Sequence, residues 1–155
     1  MVKHQAKLGA PAAVKLPRRR IVAIHEAGHA FILVHYDLAF QNAVVYTNGS
    51  GIVNVNARVH DEDMPGHVIC TLAGPAAEQH FRHINSDFSD ASNDYAEDFK
   101  TARQYCKDPA VPIDYSSAEN TARLLVVEHW DSIMRIADAL DKSGFLTAKQ
   151  IRKYV

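Results

Sequence analysis

The sequence lacks the features that mark several large protein classes. It contains no G-x-x-x-x-G-K-[ST] pattern, so it has no P-loop to hold nucleotide phosphates. It contains no apolar run of roughly eighteen residues, the length that a transmembrane helix needs. Its formal net charge is −1, which gives no global attraction to nucleic acid or to an anionic membrane. We therefore expect no ATP, no membrane span and no nucleic-acid partner.

Cysteine is also scarce. Cys70 and Cys106 are the only two, and both fall on apolar stripes of predicted helices. This usage is typical of a reduced, buried pair in a cytoplasmic protein, and we expect that location. The first twenty residues are basic but lack the apolar core of a secretory signal, and they contain no serine. We interpret residues 1–16 as a flexible basic tail and residues 17–155 as a single domain.

The segment from His25 to His29 carries the strongest chemical signal, because it reads H-E-x-x-H. Two histidines four residues apart in a helix project from one face, so both can reach a single zinc ion. Glu26 lies beside them, where its carboxylate can take a proton from a water whose pKa the ion lowers to about 7. The pattern predicts His25 and His29 as metal ligands and Glu26 as the catalytic base. The alternative is a buried helix with ordinary histidines.

The sequence supports a helix around this motif. Pro17 suits a first helical turn, and the following residues contain no proline as far as Tyr36. The apolar positions recur with helical spacing and leave the motif on a neighbouring face. Gly28 inside the helix costs roughly 1 kcal/mol relative to alanine, so we expect another backbone to approach closely there.

A third ligand has to come from farther along the chain. Residues 92–107 have the spacing of another amphipathic helix, and Asp94 would lie in its first turn. A carboxylate at that end of a helix is favoured by the helix dipole. The alternative is that Asp94 and its neighbours only cap the helix.

These motifs resemble those of the M41 peptidases, the zinc protease domains of the membrane-bound AAA+ proteases of the FtsH type. The family's zinc helix reads HEAGHA, as His25 to Ala30 do, and a later helix carries A-S-N-D, as Ala91 to Asp94 do. The resemblance implies one zinc ion per chain, held by His25, His29 and Asp94, with Glu26 as the base. It extends in order from residue 18 to residue 155.

A further stretch resembles the family pattern L-x-G-R-x-A-E-E less completely. Leu72 to Glu78 follow it, but Pro75 stands at the arginine position and Gln79 at the second glutamate. The resemblance leaves open whether Glu78 supports a zinc ligand from behind.

The rest of the chain predicts mostly helices. Helices are expected over residues 64–82, 92–107 and 115–141, and Thr147 with Gln150 is spaced as a capping box for a last short helix. Residues 43–46 and 51–56 predict a two-stranded β-ribbon. The expected fold is mainly α, an array of five to six helices with this small ribbon, similar to the M41 protease domain.

The ribbon suggests a place for substrate. A strand edge beside the metal can hold a peptide as an extra strand, because main-chain pairing grips any sequence. We assign that role to the strand over residues 51–56, with Ile52, Val53 and Asn54 as candidate substrate-binding residues.

The function expected from these signals is a zinc metalloendopeptidase that hydrolyses unfolded or flexible polypeptide segments. At 155 residues the sequence has no room for an ATPase module beside a peptidase, so we expect ATP-independent cleavage. Two alternatives remain open: a regulatory peptidase dedicated to one partner or repressor, and a non-catalytic, zinc-stabilised binding or adaptor module. The sequence also leaves open a homo-oligomer or a partner protein.

Overall fold

The computed structural model describes residues 15–56, 60–89 and 95–155. Of the predicted basic tail, residues 1–14 therefore lie outside the described part of the chain. The described residues form six helices and three short strands, which confirms the predicted mainly α fold with a small β element. In chain order these are α1 Arg18–His35, β1 Phe40–Val45, β2 Gly51–Val55, α2 Met64–Ile84, α3 Ala96–Tyr105, α4 Tyr115–Glu128, α5 Trp130–Ser143, β3 Phe145–Thr147 and α6 Ala148–Ile151.

Helices α1 and α2 form the centre of the molecule. Helix α1 packs on α2 and α5, and α2 also packs on α3 and α4. A Cβ atom added at Gly28 would lie 2.5 Å from the Ala73 carbonyl oxygen and 2.8 Å from the Ala77 Cβ. The predicted close approach at Gly28 is therefore confirmed, and the partner is the backbone of α2. This contact brings α2 directly against the face of α1 that carries the two histidines.

The sheet has the order β2-β1-β3, and all its pairs are antiparallel. It is one strand larger than the predicted ribbon, because Phe145–Thr147 pairs with β1. Three residues are too few to show the alternation that marks a strand in sequence. β2 is an edge strand of the sheet. It contacts α1, and its residues line a cleft between the two elements.

The predicted single helix over residues 115–141 is wrong. The structure has two helices, which meet at His129, where φ is −110° and ψ is 26°. The apolar positions on both sides continue into one core, so the periodicity did not reveal the break. The predicted capping box is confirmed, since Thr147 and Gln150 exchange side-chain to backbone hydrogen bonds at the start of α6.

The predicted pair of buried, reduced cysteines holds only in part. Both cysteines are free, but Cys70 is buried in α2 whereas Cys106 is half-buried just after α3. Within the described ranges, no helix is long and apolar enough to cross a bilayer.

Candidate metal centre

A cleft of about 710 Å³ lies between α1, α2, α3 and β2, and the H-E-x-x-H motif lines it. His25 and His29 face it from α1, and Asp98 reaches it from the first half of α3. The two imidazoles are largely buried, and the Asp98 side chain is 28% exposed. Two helices that are distant in sequence thus bring three potential ligands together.

The three ligand atoms form a triangle of the size that one metal ion requires. The Nε2 atom of His25 lies 3.0 Å from Oδ2 of Asp98 and 3.0 Å from Nε2 of His29. The third edge, from His29 Nε2 to Asp98 Oδ2, is 3.7 Å. In a tetrahedral zinc site with ordinary bond lengths, the ligand atoms lie about 3.3 Å apart. The described residues therefore fit a zinc-sized ion.

The hydrogen bonds behind the imidazoles direct their lone pairs to this point. Nδ1 of His29 donates to the Cys70 carbonyl at 2.7 Å, and Nδ1 of His25 donates to Oε2 of Glu78 at 3.2 Å. When both imidazoles are neutral and carry their single N–H at Nδ1, each Nε2 has a lone pair that faces the other and Asp98; a metal ion would take the place of the proton on His25 Nε2. Three converging electron-pair donors are stabilised by a shared cation. This arrangement of outer partners is the one that metal-binding histidines usually have.

The pKa values of the two histidines also indicate that this cluster favours positive charge. Burial opposes the charged form of His25, but hydrogen bonds to Asp98 and Glu78 outweigh it and raise its pKa to about 10. Burial, reinforced by the charge on His25, lowers the pKa of His29 to about 4. The cluster thus favours a single positive charge held between its members.

Helix α2 makes room for the centre at Gly74. A Cβ atom there would collide with Nε2 of His29 and would lie 2.8 Å from Nε2 of His25. Pro75 follows inside the helix and is buried, so the departure from the family pattern is accommodated without ending α2. Because Gly74 has no side chain, both imidazoles can lie against this part of α2.

Glu26 occupies the position expected of a base. Its side chain lines the cleft, is buried and makes no hydrogen bond to any residue that the structure describes. Burial raises its pKa to about 7, although the charge on His25 opposes the shift. A Cβ atom added at Gly51 would lie 2.6 Å from Oε1 of Glu26, so the carboxylate sits directly against the start of β2.

Glu78 lies behind His25. It is buried, Oε2 accepts from His25, and Oε1 lies 2.9 Å from both Nε and Nη2 of Arg82. The sequence left its role open, and the structure places it in contact with a candidate metal ligand.

Asp94, the third ligand that the resemblance implies, lies outside the described residues, so its assignment stays a prediction. Among the described residues, Asp98 forms a cluster with the two histidines. Asp98 was not among the ligands predicted from the sequence. Its spacing of four residues from Asp94 could have identified it, because residues four apart in a helix lie on the same face.

The candidate substrate-binding residues divide into two groups. Ile52 and Val53 line the cleft together with Gly51. Asn54 does not line it, and its side chain donates instead to Oδ1 of Asn42 in β1 at 2.6 Å. Asn54 therefore helps to join the two strands.

Comparison of the chain with protein-family models gives no match. Comparison with curated proteins gives no match either. The case for a function consequently rests on the geometry of the cleft and on the residues that line it.

Proposed function

We propose that this protein is a zinc-dependent endopeptidase, related to the M41 peptidases, that cleaves unfolded or flexible polypeptide segments without ATP. The observation that carries the proposal is the convergence of His25, His29 and Asp98 on one point of a cleft, with the buried carboxylate of Glu26 beside it. The spacing of the ligand atoms and the hydrogen bonds behind the imidazoles support a metal there. A cytoplasmic location is part of the proposal.

The chemistry divides between the ion and the chain. When bound, zinc would lower the pKa of a water molecule and polarise a peptide carbonyl. Glu26 accepts the proton of the attacking water and later delivers it to the leaving amine. Burial raises the pKa of Glu26 to about 7 in the metal-free protein, and a raised pKa makes its carboxylate a better proton acceptor. Glu78 and the Cys70 carbonyl hold the two imidazoles in the orientation that the site needs.

The edge of β2 is the proposed binding surface for the substrate backbone. Tyr46 N donates to Ser50 O at 2.8 Å, and the register pairs Val44 with Ile52. Because hydrogen-bonded pairs alternate along an antiparallel ladder, the main chain of Ile52 pairs with β1, whereas Gly51 and Val53 direct their N–H and C=O groups outward. An extended peptide could pair with those two residues beside Glu26. Such pairing needs a segment that is free to become a strand, which is why we propose flexible substrates.

Val53→Pro should lower kcat/KM for an unfolded substrate by about tenfold, because it removes one main-chain hydrogen bond to the peptide. Zinc content should not change, since Val53 is not among the ligands. Peptide hydrolysis and metal content measured on the same preparation test this. Val53→Thr is the matched control, because it alters the side chain but keeps the N–H. Equal kinetics for all three proteins would count against pairing at this edge.

The experiment that tests the function is metal analysis of the purified chain combined with digestion of casein in the absence of ATP. We expect one zinc ion per chain, loss of digestion on treatment with a chelator, and recovery when zinc is restored. A tightly folded protein should resist digestion. Zinc without any digestion of casein would instead favour a dedicated partner or a binding module. Iron in place of zinc would indicate the redox centre that two histidines and one carboxylate can also form.

A further inference from the structure

Arg82 joins the region behind the metal centre to the loop that leaves α2. Its Nε and Nη2 atoms both lie 2.9 Å from Oε1 of Glu78, and its Nη1 lies 2.8 Å from Oδ2 of Asp87. The side chain of Arg82 is only 11% exposed, and those of Glu78 and Asp87 are 3% exposed. One buried guanidinium thus holds two buried carboxylates that belong to different parts of the structure.

On the side of the metal centre, Arg82 determines which oxygen of Glu78 is available to His25. Both of its contacts are to Oε1, which leaves Oε2 to accept the hydrogen bond from Nδ1 of His25. The guanidinium also compensates the negative charge of a carboxylate that is otherwise removed from water. Without that compensation, a buried Glu78 would have His25 as its single partner among the described residues. Arg82 therefore keeps Oε2 of Glu78 aimed at the ring of His25.

On the opposite side, Arg82 contacts the segment that directly follows α2. Nη1 also lies 3.1 Å from Oγ of Ser89, and Oδ1 of Asp87 accepts from Ser89 N at 3.0 Å. The segment from Asn85 to Ser89 directly follows α2, and the next described helix is α3, which carries Asp98. The same side chain therefore contacts both the support of one candidate ligand and the segment that directly follows α2.

We propose that Arg82 is a positioning residue of the metal centre, which acts through Glu78 on His25 and through Asp87 on the segment from Asn85 to Ser89 that directly follows α2. The inference rests on the proposed zinc site. It assigns a role to a residue outside the H-E-x-x-H and A-S-N-D motifs. The i,i+4 spacing of Glu78 and Arg82 is ordinary for a helix, and burial together with the second carboxylate distinguishes it from a surface ion pair.

Zinc affinity, measured by competition with a chromophoric chelator, tests the proposal independently of proteolysis. Arg82→Gln should weaken zinc binding by about 10-fold, at the lower end of the usual effect of losing an outer partner, because it disturbs Glu78 without removing it. Arg82→Lys should retain part of the affinity, because it keeps the charge but not the two-armed contact. The visible spectrum of the cobalt-loaded protein should change in Arg82→Gln, since the orientation of His25 changes.

The chain offers a matched control in Arg123, which also pairs with a glutamate four residues earlier, Glu119, at 3.4 Å, but on an exposed face. Arg123→Gln should bind zinc as the wild type does. Equal affinity of folded Arg82→Gln and wild type would overturn the inference while leaving the zinc site intact. If wild type itself binds no zinc, the proposed function fails first.

A second variant keeps the test decisive if Arg82→Gln does not fold. Asp87→Asn preserves both contacts between Arg82 and Glu78 and weakens only the contact between Arg82 and residue 87. We expect a smaller but measurable loss of zinc affinity in this variant, and partial affinity in Arg82→Lys. Wild-type affinity in both would overturn the inference.

Discussion

Glu26→Gln is expected to lower the turnover of an unfolded substrate by about 10²- to 10⁴-fold, the usual contribution of a general base. Glutamine has nearly the same shape as glutamate but cannot accept the proton of the attacking water. Glu26 contributes no ligand atom to the cluster of His25, His29 and Asp98, so zinc content should remain that of the wild type. Casein digestion and metal analysis on the same preparations measure the two effects.

The neighbourhood supplies a matched control for this change. Glu97 also lines the cleft, but its side chain is 79% exposed and lies 3.4 Å from Lys100. Glu97→Gln removes the same charge from the same cleft and should leave turnover nearly unchanged. His29→Ala should lose both zinc and activity. Full activity of Glu26→Gln would contradict the assigned base, and an absence of activity in every form would favour the binding-module alternative.

Asp98→Asn is expected to weaken zinc binding by at least about 100-fold, because losing a ligand should cost no less than losing an outer partner. The carboxamide is neutral and presents a weaker oxygen donor to the ion. In the structure, Oδ2 of Asp98 lies 3.0 Å from Nε2 of His25, at the point where the imidazole lone pairs converge. Titration with zinc against a competing chelator gives the affinity directly, and Glu97→Gln is again the control.

Asp94→Asn tests the competing assignment that the M41 resemblance implies. If Asp98→Asn loses zinc and Asp94→Asn retains it, Asp98 is the third ligand and the resemblance to the M41 pattern does not extend to this position. The reverse result would identify Asp94 as the third ligand, and Asp98 would then lie near the ion without binding it. Loss of affinity in both variants would indicate that the two carboxylates act on the ion together.

Much of the local structure could be predicted from the sequence, because it depends on short-range periodicity. The helix around His25 follows from apolar residues at helical spacing, and the same spacing puts His29 on its face. The capping box at Thr147 is a contact between residues three apart, so its residues identify it directly. The break at His129 and the strand β3 were not predictable, since the core pattern continues across the former and the latter has only three residues.

The spacing of H-E-x-x-H was enough to predict that two imidazoles and a carboxylate share one helix, since that depends only on helical geometry. The residues that surround them depend on how distant segments pack. Asp98 reaches the histidines because α3 packs against α2, and Glu78 supports His25 because α2 packs along α1. Gly51 and Gly74 matter because side chains of α1 approach them so closely that neither position has room for a Cβ atom. These are contacts between segments far apart in the chain, and such contacts are set by packing, on which local periodicity carries no information.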